Sequence, residues 1–249
     1  MHSNVFRFPK LSTQCGECQW SKSCVAHGFA LAGQHGSGLQ CSAPLRRNSY
    51  IFQQGDPLES LCVLRSGSAK SYFDSADGLE QIVAFHYPGD LLGFDAVASG
   101  VHQSSVVVLE TAALCRVPFT SIESIAAQTP KLWAEVMRSA ARQMIEKNNH
   151  ALLLGQKSAQ ARFASLLLYL SNRYGERGCS RLEFNLSMAR QDIANYLSLA
   201  VETVSRLFSD LQNQAIITVE RRYVRIVALE KLRALAAGSS KSVARLSLP

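Results

Sequence analysis

Three cysteines stand close together near the start of this 249-residue chain: Cys15 and Cys18 with two residues between them, then Cys24 after five more. Thiolates at this spacing can wrap several corners of an iron–sulfur cluster, or supply most of a tetrahedral zinc site, and the pattern alone leaves both open. Cys41, Cys62, Cys115 and Cys179 bring the total to seven. The N-terminus lacks the apolar run of an export signal, so the cytoplasm is the expected location, where thiols stay reduced and structural disulfides are a poor explanation. Close spacing then points to metal binding or redox chemistry. A thiol redox enzyme using Cys15 and Cys18 is a further option, weakened because no βαβ pattern surrounds the pair. Cys41, Cys62 and Cys179 read as small buried hydrophobes, with Cys41 also able to stand in for a lost ligand, and His27 and His35 read as loop residues beside glycines.

A second kind of chemistry lies toward the other end. Arg190 to Leu197 reads as one short helix, Ser198-Leu199-Ala200 as a turn, and Val201 to Phe208 as the start of a second helix. Small Ala194 lets the two approach, and Ile193, Leu197, Val204 and Leu207 supply the apolar faces that set their angle. Val201, Glu202, Ser205 and Arg206 are left on the outer face, where a DNA major groove would lie. Arginine can pair bidentately with guanine, glutamate can accept from the cytosine amino group, and valine methyls can touch the thymine methyl. Arg221, Arg222 and Arg225, on a following hairpin, suit phosphate contacts, which set register and salt dependence.

The elements that must hold these groups follow from periodicity and punctuation. Residues 1–45 form a cysteine-rich arm with weak periodicity. Residues 46–129 carry short strands separated by turn residues: Tyr50 to Phe52, Leu61 to Leu64, Ser68 to Phe73, Gln81 to His86, Ser104 to Leu109 and Ala113 to Val117. That pattern indicates a β-roll or jelly roll. Residues 130–154 read as one long helix opened by Pro130 and broken by Gly155. Along it Trp133, Met137, Ala140, Met144, Lys147, Ala151 and Leu154 alternate steps of 4 and 3. Such a heptad seam is the pattern of two helices packing side by side, although a helix laid on its own domain reads similarly. Residues 155–237 hold a helix at 159–174, the helix-turn-helix, a hairpin at Ile216 to Val219 and Tyr223 to Val227, and a short last helix; 238–249 read as a flexible tail. The fold class is α+β: an N-terminal β-roll of the jelly-roll kind, a long helix and a C-terminal helix-turn-helix with a hairpin.

Charge agrees with this division. Residues 1–154 hold 12 basic and 12 acidic side chains, whereas residues 155–249 hold 14 basic against 7 acidic, the whole of the net +7. A basic end on a neutral body suggests a polyanion docking there, double-stranded DNA above all, or simply a solvated basic face. The longest apolar runs fall well short of a membrane span. No base, nucleophile and orienting group can be assembled, so no enzyme is expected.

The run Gln191 to Leu197 followed by Glu202-Thr203-Val204-Ser205-Arg206-Leu207 resembles the CRP/FNR family of bacterial regulators, and Phe85-His86-Tyr87-Pro88-Gly89-Asp90-Leu91-Leu92-Gly93-Phe94-Asp95 resembles the barrel of its FNR branch. The likeness covers nearly all of the chain after Cys15, and implies that the roll is cyclic-nucleotide-binding-like, the long helix a dimerisation helix and the last part a winged helix-turn-helix. It implies a homodimer on inverted repeats, with Glu202, Ser205 and Arg206 reading a TTGAT-like half-site, and RNA polymerase as a further partner. It also implies a [4Fe-4S] cluster held by Cys15, Cys18, Cys24 and, as the distant fourth ligand, Cys115. A ligand from residue 115 would pin the arm to the β-roll, and a short arm would leave the cluster within reach of O₂. Zinc stays the competing occupant. Val201 stands where the cyclic-AMP-binding branch has an arginine, so the DNA site of that branch is disfavoured. No arginine follows Gly89-Asp90-Leu91, so a cyclic phosphate would lack its bidentate partner and no cyclic nucleotide is expected.

Two departures matter. Ser198 stands where many members have glycine; at positive φ a non-glycine costs about 1 kcal/mol. Lys147 sits on the heptad seam, where the family usually has an acidic residue. In a parallel dimer it would face its own copy, and like charges there weaken pairing unless the lysine snorkels or meets Glu146 of the other chain.

Overall fold

The structure, a computed structural model, describes residues 28–29, 39–74, 77–122 and 129–238. Cys15, Cys18, Cys24, His27, His35 and the tail from residue 239 therefore lie outside the described residues, and with them three of the four expected ligands. The chain divides into two compact units, residues 1–147 and 148–249.

The first unit is built from two four-stranded antiparallel sheets. One runs β1 (Gln40–Cys41), β8 (Ala113–Pro118), β3 (Ser60–Ser66), β6 (Leu91–Leu92). The other runs β2 (Tyr50–Phe52), β7 (Ser105–Val108), β4 (Ala69–Asp74), β5 (Glu80–His86). The expected β-roll strands are all present within a residue or two. β1 and β6 are additional, each too short to show alternation in sequence. Gly67 makes the β3–β4 turn at φ 79°, and a Cβ there would come within 2.5 Å of the Thr111 carbonyl oxygen.

Side chains on a strand alternate between faces, and here the alternation serves two cores. Cys62, Leu64, Leu92 and Leu114 point between the sheets, against Ile51, Phe52, Ala69, Val106 and Val108. Their neighbours Leu61, Val63, Leu91, Cys115 and Val117 belong to a second cluster with Phe29, Ile122, Leu132 and Val136. Leu132 and Val136 come from the long helix α1 (Pro130–Gln156). The first sheet is thus covered on both faces, which is why β3 reads as a continuous apolar run instead of an alternating one.

α1 carries two stripes. Leu132, Val136 and Ser139 are buried, and Gln143 donates its side-chain N–H to the Leu91 carbonyl, so this stripe meets the β-roll. One residue further round, Trp133, Met137, Met144, Lys147 and Ala151 are exposed, with Ala140 and Leu154 partly so. The two readings of the heptad pattern are therefore not alternatives: the helix packs on its own domain with one stripe and presents the other outward. Gly155 does not break α1, contrary to expectation, because the helix runs on to Gln156. Nothing crowds residue 155, and a glycine in the last turn costs only about 1 kcal/mol. The stop comes at Lys157 and Ser158, whose hydroxyl caps α2 (Ala159–Glu176) by accepting from the Ala161 N–H at 3.3 Å.

The second unit packs α2, α3 (Arg190–Leu197), α4 (Val201–Asn213) and α5 (Leu229–Ala237) around a three-stranded sheet of order β10 (Ile217–Glu220), β11 (Tyr223–Ile226), β9 (Glu183–Asn185). Phe163, Leu166, Leu167 and Leu170 form the buried face of α2, and Phe163 meets Phe208 edge to face with centroids 4.5 Å apart. Between α3 and α4, Ser198 adopts φ 52°, ψ 52°, and the Leu199 N–H donates to the Ala194 carbonyl at 2.9 Å. This is the left-handed helix termination that glycine usually supplies.

In the β-roll, the carboxylate of Asp95 collects the N–H groups of Gln103 and Ser104 at 3.0 Å each, the Ser104 hydroxyl at 2.9 Å and His102 Nδ1 at 3.3 Å. His102 in turn stacks on Phe52 with centroids 3.6 Å apart. Burial works to raise the Asp95 pKa, but the hydrogen bonds from His102 and Ser104 outweigh it and hold the group below its ordinary value of 3.8. A depressed carboxylate stabilises the fold above that ordinary value, and the contribution fades as pH falls through the lower folded-state value. Asp95→Ala is expected to cost about 1–3 kcal/mol at pH 7, because several buried donors lose their acceptor, and the gap from the parent is expected to close in strong acid; urea melts at two pH values check both. Ser198→Gly is expected to raise stability by up to about 1 kcal/mol by relieving the positive-φ cost, read as a shift of the urea midpoint.

Candidate nucleic-acid interface and metal centre

α3 is held at its start by Asp192, whose carboxylate accepts from the Ala189 N–H at 2.9 Å. That is half of a capping box, since an alanine cap has no acceptor to return the bond. Arg190, at the first helical position, lies over the Phe208 ring at 3.0 Å to the centroid, and burial lowers its pKa to about 10, which leaves it charged at neutral pH. Ile193, Ala194 and Leu197 on α3 and Val204, Leu207, Phe208 and Leu211 on α4 are buried. Their steps of 3 and 4 leave Val201, Glu202, Ser205 and Arg206 exposed together along α4, as expected. The Ser205 hydroxyl donates back to the Val201 carbonyl at 3.0 Å and stays exposed.

Beside this helix the register Glu220↔Tyr223 makes Arg221 and Arg222 the two-residue turn of a wing, both exposed, with Arg221 at φ 57°. Arg222 also reaches the Ser187 carbonyl at 3.5 Å. Arg225 differs from its two neighbours: its guanidinium meets Glu183 at 3.0 Å. The partner comes from β9, a strand of three residues with no signal of its own in the sequence, so one of the three expected phosphate contacts is already engaged within the wing.

Two residues that pattern reading passed over fasten α3. Arg162 donates to the carbonyls of Leu154 at 2.7 Å, Lys157 at 2.9 Å and Leu197 at 3.1 Å. One side chain therefore caps the end of α1, holds the link to α2 and reaches the end of α3. Such a charged donor at helix C-termini is favourable both as a hydrogen bond and against the helix dipole. His150, in the last part of α1, donates Nε2–H to the Tyr196 carbonyl at 2.8 Å and stacks on the Tyr196 ring with centroids 3.9 Å apart.

At the cysteine end, the structure describes only Cys115 of the four expected ligands. It lies on β8, 4% exposed, in the cluster shared with Phe29, Leu132 and Val136. Phe29 follows Cys24 by five residues, so the arm enters the same cluster that holds Cys115. Gly28 approaches α1 so closely that a Cβ would fall 2.6 Å from Leu132 Cδ1. A thiolate-only donor set drawn from the arm and residue 115 is compatible with this placement, and it is the set that iron–sulfur clusters take. Among the described residues alone, no three metal-binding side chains converge. Cys41, considered above as a spare, stands beside Cys115 with sulfurs 3.7 Å apart. Cys62 is wholly buried between the sheets, as expected, which raises its pKa; Cys41, on a two-residue edge strand, is only partly buried, and Cys179 is exposed, contrary to expectation.

In the β-roll loop the Ser104 hydroxyl and the N–H groups of residues 103 and 104, donors that could otherwise receive an anion, already serve Asp95. No helix among the described residues is long and apolar enough to cross a membrane.

Comparison with known proteins agrees with both halves. Residues 161–235 match the family model described as a Crp-like helix-turn-helix domain, and residues 43–129 match the cyclic nucleotide-binding domain. The chain is 38% identical over 226 residues to the electron transport regulator A of Shewanella oneidensis, covering 89% of this chain and 90% of that protein. It is 38% identical over 234 residues to the fumarate and nitrate reduction regulatory protein of Salmonella typhi, covering 92% of each. Among solved structures, FixK2 from Bradyrhizobium japonicum superposes with a TM-score of 0.73 at 29% identity, over 81% of this chain and 99% of that one. With a β-roll, a long helix and an exposed reading helix beside a basic wing, and with relatives of this identity along almost its whole length, the chain belongs to the CRP/FNR family of transcription regulators and is not an enzyme.

Proposed function

We propose that this regulator is an oxygen-responsive DNA-binding homodimer whose sensor is a [4Fe-4S] cluster held by Cys15, Cys18, Cys24 and Cys115. The observation that carries the reading is the shared cluster of Phe29, Cys115, Leu132 and Val136. It brings the segment just after the arm cysteines, the fourth thiol and the dimerisation helix into one packed group. When bound, the [4Fe-4S] core supplies an oxidisable inorganic link whose loss releases its thiolates. Cys115 then anchors the arm at the β-roll face that α1 covers, so ordering of the arm bears directly on Leu132 and Val136. The relatives named for fumarate and nitrate reduction support an anaerobic signal.

The outward stripe of α1, Met137, Ala140, Met144, Lys147, Ala151 and Leu154, serves as the seam between two copies. Lys147 meets its own copy there and keeps the pairing marginal, so that the state of the arm decides it. Each copy lays α4 in the major groove of one half of an inverted TTGAT-like repeat. Val201, Glu202, Ser205 and Arg206 read the base edges, and Arg221 and Arg222 hold phosphates. RNA polymerase is the further partner that membership implies, and the cytoplasm the compartment. In this reading the cysteine-rich arm spans residues 1–45, the β-roll 46–129, the dimerisation helix 130–156 and the winged helix-turn-helix 157–237. A cyclic nucleotide is not the ligand, since Asp95 occupies the loop donors and repels a phosphate.

Operator binding measured without oxygen and again after exposure to air tests this. Affinity is expected to fall by at least about tenfold, about 1.4 kcal/mol; equal affinity in both states would overturn the oxygen-responsive reading. In the oxygen-free protein Arg206→Ala is expected to cost about 1–3 kcal/mol and to relax preference at one base pair. Arg222→Ala is expected to weaken all sequences alike and to reduce the salt slope by about 1. Lys147→Leu is expected to sediment as a dimer in air where the parent is a monomer. Equal monomer fractions would remove Lys147 as the brake.

A further inference from the structure

Cys115 has a second possible partner. Cys41 lies directly opposite it in the β1–β8 ladder. The Ser42 N–H donates to the Leu114 carbonyl at 2.8 Å, one step along from the pair. Cys41 and Cys115 therefore face each other at a position without mutual backbone hydrogen bonds, where opposed Cα atoms approach to about 4.5 Å and side chains lie nearest. That separation falls inside the range of about 4.4–6.8 Å that a disulfide bridges. The two sulfurs are already 3.7 Å apart and point to the same side of the sheet, so rotation about the side-chain bonds brings them together without moving the strands. The two thiols also differ in access: Cys115 is buried, while Cys41 is half-exposed at the edge strand.

We propose that Cys41 and Cys115 form a reversible intrachain disulfide in the cluster-free protein, a redox site that competes with the metal centre for Cys115. The oxidant is a low-molecular-weight disulfide. Thiolate exchange at the accessible Cys41 displaces one small thiol and leaves a mixed disulfide there. The Cys115 sulfur then attacks the Cys41 sulfur, forming the Cys41–Cys115 bond and releasing the second small thiol. Two protein thiols are oxidised, one small disulfide is reduced to two thiols, and the exchange is reversed by excess reductant. The bond closes β1 onto β8 and withdraws the fourth ligand. This consequence rests on Cys115 being a ligand; the disulfide itself does not. Cluster assembly then requires reduced thiols as well as absence of oxygen.

The test uses full-length cluster-free protein equilibrated anaerobically in buffers of graded reduced to oxidised glutathione, then alkylated and mapped by peptide mass spectrometry. The expected result is a peptide pair joined through Cys41 and Cys115 that accumulates with oxidised glutathione, is lost on reduction, and is absent in Cys41→Ser and Cys41→Ala. Circular dichroism is used to check that at least one variant keeps the parent fold. Cys115 remaining open to alkylation after denaturation across the whole series, or joined instead to Cys15, Cys18 or Cys24, would overturn the proposal. Iron uptake reports the consequence: the oxidised parent is expected to lose it while Cys41→Ser treated identically retains it. Equal loss in both would overturn the competition. If fully reduced parent and variant both fail to take up iron and sulfide, the cluster reading fails, and the peptide map still decides the disulfide.

Discussion

The packing around Cys115 is the constraint on which the first unit depends. β8 turns Leu114 into the sandwich and Cys115 and Val117 out of it, and α1 closes over that outer face with Leu132 and Val136. A thiol placed there is held by strand pairing on both sides, with β3 and with β1, so its position is set by the sheet and not by the arm. Gly28 and Phe29 meet the same face, since Phe29 fills the same cluster and Gly28 leaves no room for a side chain against Leu132. On the function proposed above, Cys115 as a ligand on an inner strand and α1 packed over it would make a short path from the metal centre to the pairing face of α1.

The DNA-binding unit solves a different problem, the rigid presentation of one helix. Its buried side runs from Phe163 through Phe208 to Leu211 and Ile217, and leaves a continuous polar strip on α4. Arg162 and His150 then tie α3 to the closing turns of α1 through the carbonyls of Leu154, Leu197 and Tyr196. The last turns of α1 are thereby bonded to the helix that supports the reading helix. The Ser198 turn keeps a strained backbone at this point, which the surrounding packed side chains hold in place.

The elements with a local signal were legible in the sequence: turn residues marked most β-roll strands, and spacing alone picked out the exposed faces of α4, with Val201, Glu202, Ser205 and Arg206, and of α1. Features that depend on distant pairing were not. Cys41 and Cys115 are 74 positions apart, and β1 has two residues, too few for any alternation. β9 was hidden for the same reason, and with it Glu183, which engages Arg225. Gly155 misled because glycine marks helix ends only where the backbone leaves the helical region, and here it does not. The double role of α1 was concealed by two stripes one residue apart, each with the same heptad period.

The most direct measurement is the visible spectrum of oxygen-free protein together with its iron and sulfide content, for the parent and for Cys115→Ser. A broad cluster absorption with about four iron and four sulfide per chain, bleached by air in the parent and missing in Cys115→Ser, is the predicted result. A colourless zinc-containing parent, or a cluster that survives intact in Cys115→Ser, would contradict the account.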